Sequence, residues 1–369
     1  MKKIKIIAIT IAIMFSLIYA LNLEYFIKGA RIVYLNGQTT VFIDDLKYFD
    51  YETIEATDEK SPWNERENII DTFSNEFEEL NKEFGTVAYI VIHKDTIIAE
   101  KYYKGYSSNS SSNSFSMAKT LVSAMMGKAL ELGYINSLND KVKDYIPELK
   151  GEFANDVRVV DLASMTSGLD WDEGTSDPFS PVAKQYFVSD VEELMLNQPI
   201  IEKPGERNHY SSGNTQLLSI LIERASGIKI DKFFENEIWS KINPDNDAYW
   251  QVDSKKKGNI KSFCCFHSNA RDFSRLGKLY LNYGNWNGNQ IIDSTFVKSS
   301  MKPFLDNFDG YGIGLWLKKH KDLNISLMSG HQGQYVIMIP EKELIITRLG
   351  ERDIDLGGPG VSGDVLSYI

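Results

Sequence analysis

The amino-acid sequence predicts an α+β fold, an antiparallel sheet flanked by helices with an all-helical subdomain inserted between its strands. Three features point there. Near the start, β-branched runs at 86–93 and 96–103 are split by Lys94-Asp95 and read as a hairpin. At the far end, runs at 311–317, 325–328, 334–339 and 344–349 read as strands, the last two joined by Pro340-Glu341-Lys342-Glu343. Between Phe115 and Trp250 the texture is helical, broken by loops containing Gly and Pro. Strands that far apart in sequence can share one sheet when the intervening helices form a subdomain of their own.

The elements follow in order. Lys2, Lys3 and Lys5 precede an uncharged run over 6–23, which as a helix reaches about 27 Å, close to the roughly 30 Å of membrane hydrocarbon. A basic start followed by such a run is an export signal. Residues 18–20 supply only one of the two small residues that cleavage wants, so a signal anchor is favoured over a cleaved signal peptide. The rest of the chain would then be extracytoplasmic, membrane-anchored or periplasmic. Residues 24–64 read as an irregular lead-in or stalk containing Asp44, Asp45, Asp50 and Glu52. Residues 65–369 read as the functional domain, with the helical subdomain at about 116–250. Ile69, Phe73, Phe77, Leu80 and Phe84 recur at helical spacing and Gly85 ends the pattern. Residues 107–114 are too polar for an element and read as a surface loop. Helices are expected over 116–132, closed by Gly133, over 217–225, closed by Gly227, and over 269–283. Residues 263–266 read as a strand.

Composition excludes several functions. Of 369 residues, 43% are hydrophobic and 25% charged, which describes a packed globular chain. A net charge of −11 argues against nucleic acid as a partner. The two cysteines, Cys264 and Cys265, are adjacent; a bond between neighbours demands strained geometry, so they read as small buried residues of a strand. His93, His209, His267, His320 and His331 show no metal-ligand spacing, and no H-E-x-x-H, G-x-S-x-G or phosphate-binding loop occurs. No metal and no organic cofactor is expected.

One spacing carries chemistry. In Ser116-Met117-Ala118-Lys119, residues i and i+3 share a helix face, which brings an amine to a hydroxyl. A serine becomes a nucleophile when a neighbouring base takes its proton, and burial can make lysine that base. The helix start adds free N–H groups for an oxyanion. Ser226, Ser254 and Ser299 also precede a lysine by three positions. Only Ser116 stands between a polar loop and a long, mostly apolar helix.

With its neighbours, this segment resembles a known family. Phe115-Ser116-Met117-Ala118-Lys119-Thr120 resembles the first motif of the serine β-lactamase and penicillin-binding-protein superfamily. The stretch from Asp161 to Leu169 resembles the segment that follows it in the class C-like branch. His209-Tyr210-Ser211-Ser212-Gly213-Asn214 resembles the tyrosine-centred second motif, and Gly330-His331-Gln332-Gly333-Gln334-Tyr335 the third. Phe263-Cys264-Cys265 with Ala270-Arg271-Asp272 is similar to 6-aminohexanoate-dimer hydrolases and related carboxylesterases. The likeness spans roughly 85–350 and implies a β-lactamase-like fold.

It also implies roles. Ser116 would be acylated with Lys119 and Tyr210 as proton-transfer partners: Tyr210, its pKa depressed by Lys119, would relay protons as the base for the attacking hydroxyl and later for the hydrolytic water. The backbone N–H groups of Ser116 and Gln334 would form the oxyanion hole, and Ser212, His331 and Gly333 would meet a small-molecule or short-peptide substrate. Trp171, Asp172 and Glu173 are candidates for the pocket border. Two positions depart from the family pattern: Ser212 replaces an Asn, and His331 replaces the Lys of true β-lactamases. The reading is therefore a serine hydrolase acting on an ester, amide or peptide bond. The alternatives are a β-lactamase or D-alanyl-D-alanine carboxypeptidase acting on the cell wall, and a membrane-anchored sensor acylated without turnover.

Overall fold

The structure, a computed structural model, describes residues 23–174, 177–353 and 363–369, with isolated positions before residue 23. Its main sheet contains β1 (Asn64–Ile70), β2 (Thr86–His93), β3 (Thr96–Tyr102), β4 (Trp316–His320), β5 (Leu323–Gly330), β6 (Gln334–Ile339) and β7 (Leu344–Gly350). They lie in the order β4-β5-β6-β7-β2-β3-β1, antiparallel throughout except for the β1–β3 edge pair. The two ends of the chain thus meet where β7 pairs with β2, Arg348 opposite Tyr89.

Side-chain alternation explains why these strands sit between two layers. Successive residues of a strand point to opposite faces. Along β6, Val336 and Met338 join the main core, whereas Tyr335, Ile337 and Ile339 join a second cluster with Tyr89, Phe73, Phe77 and Tyr368. On the first face lies helix Ala270–Leu281, its start capped by Asn269 accepting from the Asp272 N–H at 2.9 Å. Helix Asn75–Glu83 covers the second face, capped by Ser74. Helix Ala118–Glu131 is buried on nearly all sides, and it packs against helix Ser212–Ser226, which ends at Gly227. Each fully buried Leu, Val or Met in such a helix contributes about 1.5–3 kcal/mol.

Several expectations change. Residues 24–62 are not a stalk: helix Glu24–Ile32 and strand Tyr51–Ile54, paired with Ala248–Gln251, pack onto the domain. The apolar residues spaced among the acids, Ile32, Ile43, Phe49 and Ile54, enter the main core. Ile69 lies in strand β1, because the helix begins only after the Ser74 cap. Ser112–Asn113, expected in a loop, adds to the sheet of Tyr51–Ile54, Ala248–Gln251 and Phe266–Ser268, where its polar side chains are buried. Only Trp316 and Leu317 of the expected 311–317 strand are extended; a turn with Gly314 at φ 74° folds Tyr311 back beside Trp316. Cys264 and Cys265 are bonded to each other. They occupy a turn before strand Phe266–Ser268, and a turn escapes the strand alternation that would aim neighbouring side chains apart. The expected anchor over 1–23 lies almost wholly outside the described residues. Among the described residues no helix is long and apolar enough to cross a membrane.

Arg348 locks the place where the chain ends meet. It is fully buried, and its guanidinium donates to the carbonyls of Phe84, Gln332, Gly333 and Arg352 and to Thr86 Oγ1. Gly333 is required beside it, because a Cβ there would stand 1.9 Å from Arg348 Nη1. An unmet buried polar group costs about 1–3 kcal/mol. Arg348→Met should therefore lower the unfolding free energy in urea by at least about 3 kcal/mol, while the exposed Arg207→Met should change it by less than about 0.5 kcal/mol. A loss below about 1 kcal/mol for Arg348→Met would show that these carbonyls find other donors.

Candidate active site

Helix Ala118–Glu131 grows out of a 3-10 turn, Phe115–Met117, with no side-chain cap. Ser116 lies in the turn and Lys119 one helical turn on, so both face the same way. Lys119 Nζ donates to Ser116 Oγ at 2.8 Å and to the Phe263 carbonyl at 3.0 Å. Lys119 is 2% exposed. Burial pulls its pKa down to about 8, and the negative charge of Glu173 opposes that shift. The other three Ser-x-x-Lys serines have ordinary structural roles: Ser226 bonds back to Ile222 O in its helix, Ser254 bonds to Ser189 O, and Ser299 ends helix Ser294–Ser300.

The turn itself is held in a costly conformation. Phe115 sits at φ 45°, a left-handed backbone that costs a non-glycine residue about 1–2 kcal/mol. Its N–H donates to Asn113 Oδ1 at 2.9 Å. The end of β5 presses against the same turn, since a Cβ on Gly330 would lie 2.2 Å from Ser114 O and 3.2 Å from Ser116 N. Only glycine fits. Gln334 pairs with Gly330 across the β5–β6 hairpin, which brings its main chain beside the nucleophile turn. Its side chain is occupied elsewhere, donating to His331 O and Gly350 O.

Tyr210 is buried in an aromatic wall. Its ring stacks on Trp316 with centroids 5.0 Å apart and meets Tyr311 edge-on at 6.0 Å. Lys119 Nζ lies 5.1 Å from the centre of that ring. Burial first and Glu173 second push the phenol well above its ordinary pKa, while hydrogen bonding with Ser116 and Trp316 works the other way. The expected depression of this phenol by Lys119 is thus not met. Desolvation dominates, and the Tyr210 phenol is neutral at pH 7.

The segment from Asp161 to Leu169 supports Tyr210 from behind. Met165 O accepts from His209 N at 2.7 Å, and Asp161 is clamped by Arg158 at 2.6 Å. Ser212 is 1% exposed. Its N–H donates to Glu173 Oε2 at 2.9 Å and its hydroxyl donates to Oε1 of the same carboxylate, which also accepts from Trp171 Nε1 at 2.7 Å. Ser212 is therefore committed to Glu173 rather than open to a substrate. His331 meets Phe115 edge-on at 5.4 Å, with Thr40 Oγ1 3.5 Å from its Nε2. Gly333 faces Arg348, a structural neighbour. Among the described residues no His, Cys, Asp and Glu cluster could hold a metal.

Lys119 and Tyr210 thus both reach the Ser116 hydroxyl. The Beta-lactamase family model matches residues 73–355. The chain belongs to the β-lactamase family. Within this family of hydrolases it is 24% identical over 299 residues, 74% of each chain, to the 6-aminohexanoate-dimer hydrolase of Paenarthrobacter ureafaciens. A Bacillus anthracis structure provisionally assigned as a 6-aminohexanoate-dimer hydrolase superposes with a TM-score of 0.73 at 21% identity, covering 83% of this chain and 86% of that one. A family VIII carboxylesterase gives 0.58 at 15% identity, covering 78% and 93%. At such identities the structures show the β-lactamase fold.

Sequence reasoning missed part of this β-lactamase-family site. The Phe263 carbonyl is main chain and leaves no signal. Arg348 did leave one: it is the lone cation in the apolar run 344–349. Glu173 was a border candidate only, yet it organises the second motif.

Lys119 is an ammonium below pH 8 and a free amine above. If the amine is the working form, kcat/KM on a neutral ester should rise about tenfold per unit below pH 8 and level off above it. Because the Glu173 charge raises Lys119, Glu173→Gln should move that limb to lower pH. A profile flat from pH 6 to 9, or a limb moved upward by Glu173→Gln, would contradict the assignment.

Proposed function

We propose that this protein is a serine hydrolase that cleaves a small ester or amide through an acyl-enzyme on Ser116. One observation carries the proposal, the 2.8 Å contact of a buried, pKa-depressed Lys119 amine with the Ser116 hydroxyl. The free amine takes the Ser116 proton as Oγ attacks the substrate carbonyl. Backbone N–H groups of Ser116 and Gln334 stabilise the oxyanion, a contribution of about 2.7–4 kcal/mol per donor in comparable sites. Tyr210 gives its proton to the leaving oxygen or nitrogen and regains one from the Lys119 ammonium. Water then attacks the acyl-enzyme with the same groups, and Ser116 is restored.

The site chemistry favours neutral substrates over those held by a carboxylate. His331 stands where β-lactamases place a lysine, so an imidazole replaces the compact ammonium charge at that position. The Ser212 hydroxyl is spent on Glu173, so the amide contact that an Asn would offer is missing. The Glu173 carboxylate also adds a negative charge near the site. The dimer hydrolase and carboxylesterase similarities support hydrolysis of an amide or ester bond.

Ser116→Ala should remove turnover by about 10⁴-fold or more, and a fluorophosphonate should label the native protein once, on the Ser116 peptide. Labelling at Ser226, Ser254 or Ser299 would refute the site. Short-chain p-nitrophenyl esters should exceed nitrocefin in kcat/KM by at least about tenfold, or ~1.4 kcal/mol of transition-state binding, and His331→Lys should narrow the gap. Faster cleavage of nitrocefin would make the chain a β-lactamase in activity.

A further inference from the structure

Asp45, in the segment ahead of the matched family region, is fully buried and lies at the centre of a polar cluster that the reaction steps do not use. Its Oδ1 accepts from Asn113 Nδ2 at 3.1 Å and from Gln251 Nε2 at 2.8 Å, and its Oδ2 accepts from the Tyr186 hydroxyl. His267 Nε2 is 3.7 Å from Oδ1. Lys261 Nζ sits 3.6 Å over the Phe49 ring and 3.3 Å from Gln251 Oε1, and burial holds its pKa well below the ordinary lysine value. The three groups hydrogen-bonded to this carboxylate all donate to it.

That one-sided chemistry fixes the Asn113 amide. A carboxylate only accepts, so the Asn113 NH₂ must point at it; the second N–H of that NH₂ goes to the Tyr186 oxygen at 3.1 Å. The Asn113 carbonyl oxygen is thereby turned toward the Phe115 N–H. Phe115 is the left-handed residue immediately before Ser116. Asn113 itself is anchored to the lead-in, its N–H donating to Ile43 O at 2.9 Å. We propose that Asp45 is a positioning residue for the nucleophile: through Asn113 it orients the main chain that aims Ser116. The inference rests on Ser116 being the nucleophile. It makes residues 24–62 part of the working enzyme.

Asp45→Asn keeps the shape but supplies an amide that can donate as well as accept, so Asn113 is free to flip and release Phe115. The test compares the full chain with Asp45→Asn, Asn113→Ala, the double variant and Ile54→Ala. Ile54 is equally buried in the same segment and has no polar contact to the cluster, so its truncation controls for lost stability. Each protein is assayed for the second-order rate of fluorophosphonate labelling, for kcat and KM on a p-nitrophenyl ester, and for urea unfolding. Asp45→Asn should slow labelling and lower kcat by at least about tenfold with KM changed less than about twofold. Asn113→Ala should do the same, and the double variant should lose no more than either single one. Ile54→Ala should lose as much stability yet label within about twofold of the native rate. If Asp45→Asn does not fold, Asn113→Ala against Ile54→Ala carries the comparison. A labelling loss that only tracks stability, or additive losses in the double variant, would overturn the positioning role. Native protein that labels away from Ser116 would instead overturn the nucleophile assignment.

Discussion

A single buried amine governs the rest of the site. Lys119 is held at 2% exposure between the Ser116 hydroxyl and the Phe263 carbonyl, with no carboxylate in direct contact among the described residues. An ammonium in that position lacks both bulk water and a bonded anion, so the proton is held loosely. Glu173 supplies only a partial counterweight, because its carboxylate is bound to Ser212 and Trp171. Were it in direct contact, the ion pair would keep the lysine charged and useless as a base. Tyr210 completes the division of labour. The same burial that lowers the lysine's pKa raises the phenol's, which suits the proposed base and acid.

That arrangement needs main-chain precision, and the fold provides it from two directions. From the sheet, the β5–β6 hairpin brings Gly330 against Ser114 and Ser116. The loop between these strands is fastened by Arg348 to β7, and through Phe84 and Thr86 to the start of β2. From the other side, strand Phe266–Ser268 and its preceding turn present the Phe263 carbonyl to Lys119. The Trp250 indole donates to Lys261 O and Cys264 O and so fixes that turn. The inserted subdomain delivers Tyr210 just ahead of helix Ser212–Ser226, which packs against the Lys119 helix.

Local pattern made much of this legible. The hairpin of β2 and β3, the helices after Ser116 and before Gly227, and the C-terminal strands all follow periodicity and glycine stops, which are properties of neighbours in sequence. The proposed catalytic trio was legible because Ser116 and Lys119 are themselves helical neighbours and Tyr210 lies in a recognisable motif. What stayed hidden depends on partners far away. Residues 24–62 read as a stalk because their acids looked exposed, whereas Asp45 is buried by Asn113, Tyr186 and Gln251, contributed from three distant stretches. Ser112–Asn113 read as a loop for the same reason, since polar side chains become core when a buried network receives them. The 311–317 run misled because alternation cannot reveal a turn that folds Tyr311 onto Trp316.

The most direct test of the account is a titration of the Lys119 amine itself. With ¹⁵N-labelled lysine in the whole protein and Lys119→Met to assign the signal, the Lys119 nitrogen shift can be followed from pH 6 to 11. Burial between Ser116 and Phe263 predicts a midpoint near 8, more than two units below an exposed lysine. A midpoint near 10.4, the ordinary lysine value, would mean that the amine is charged throughout the working range and that it is not the base.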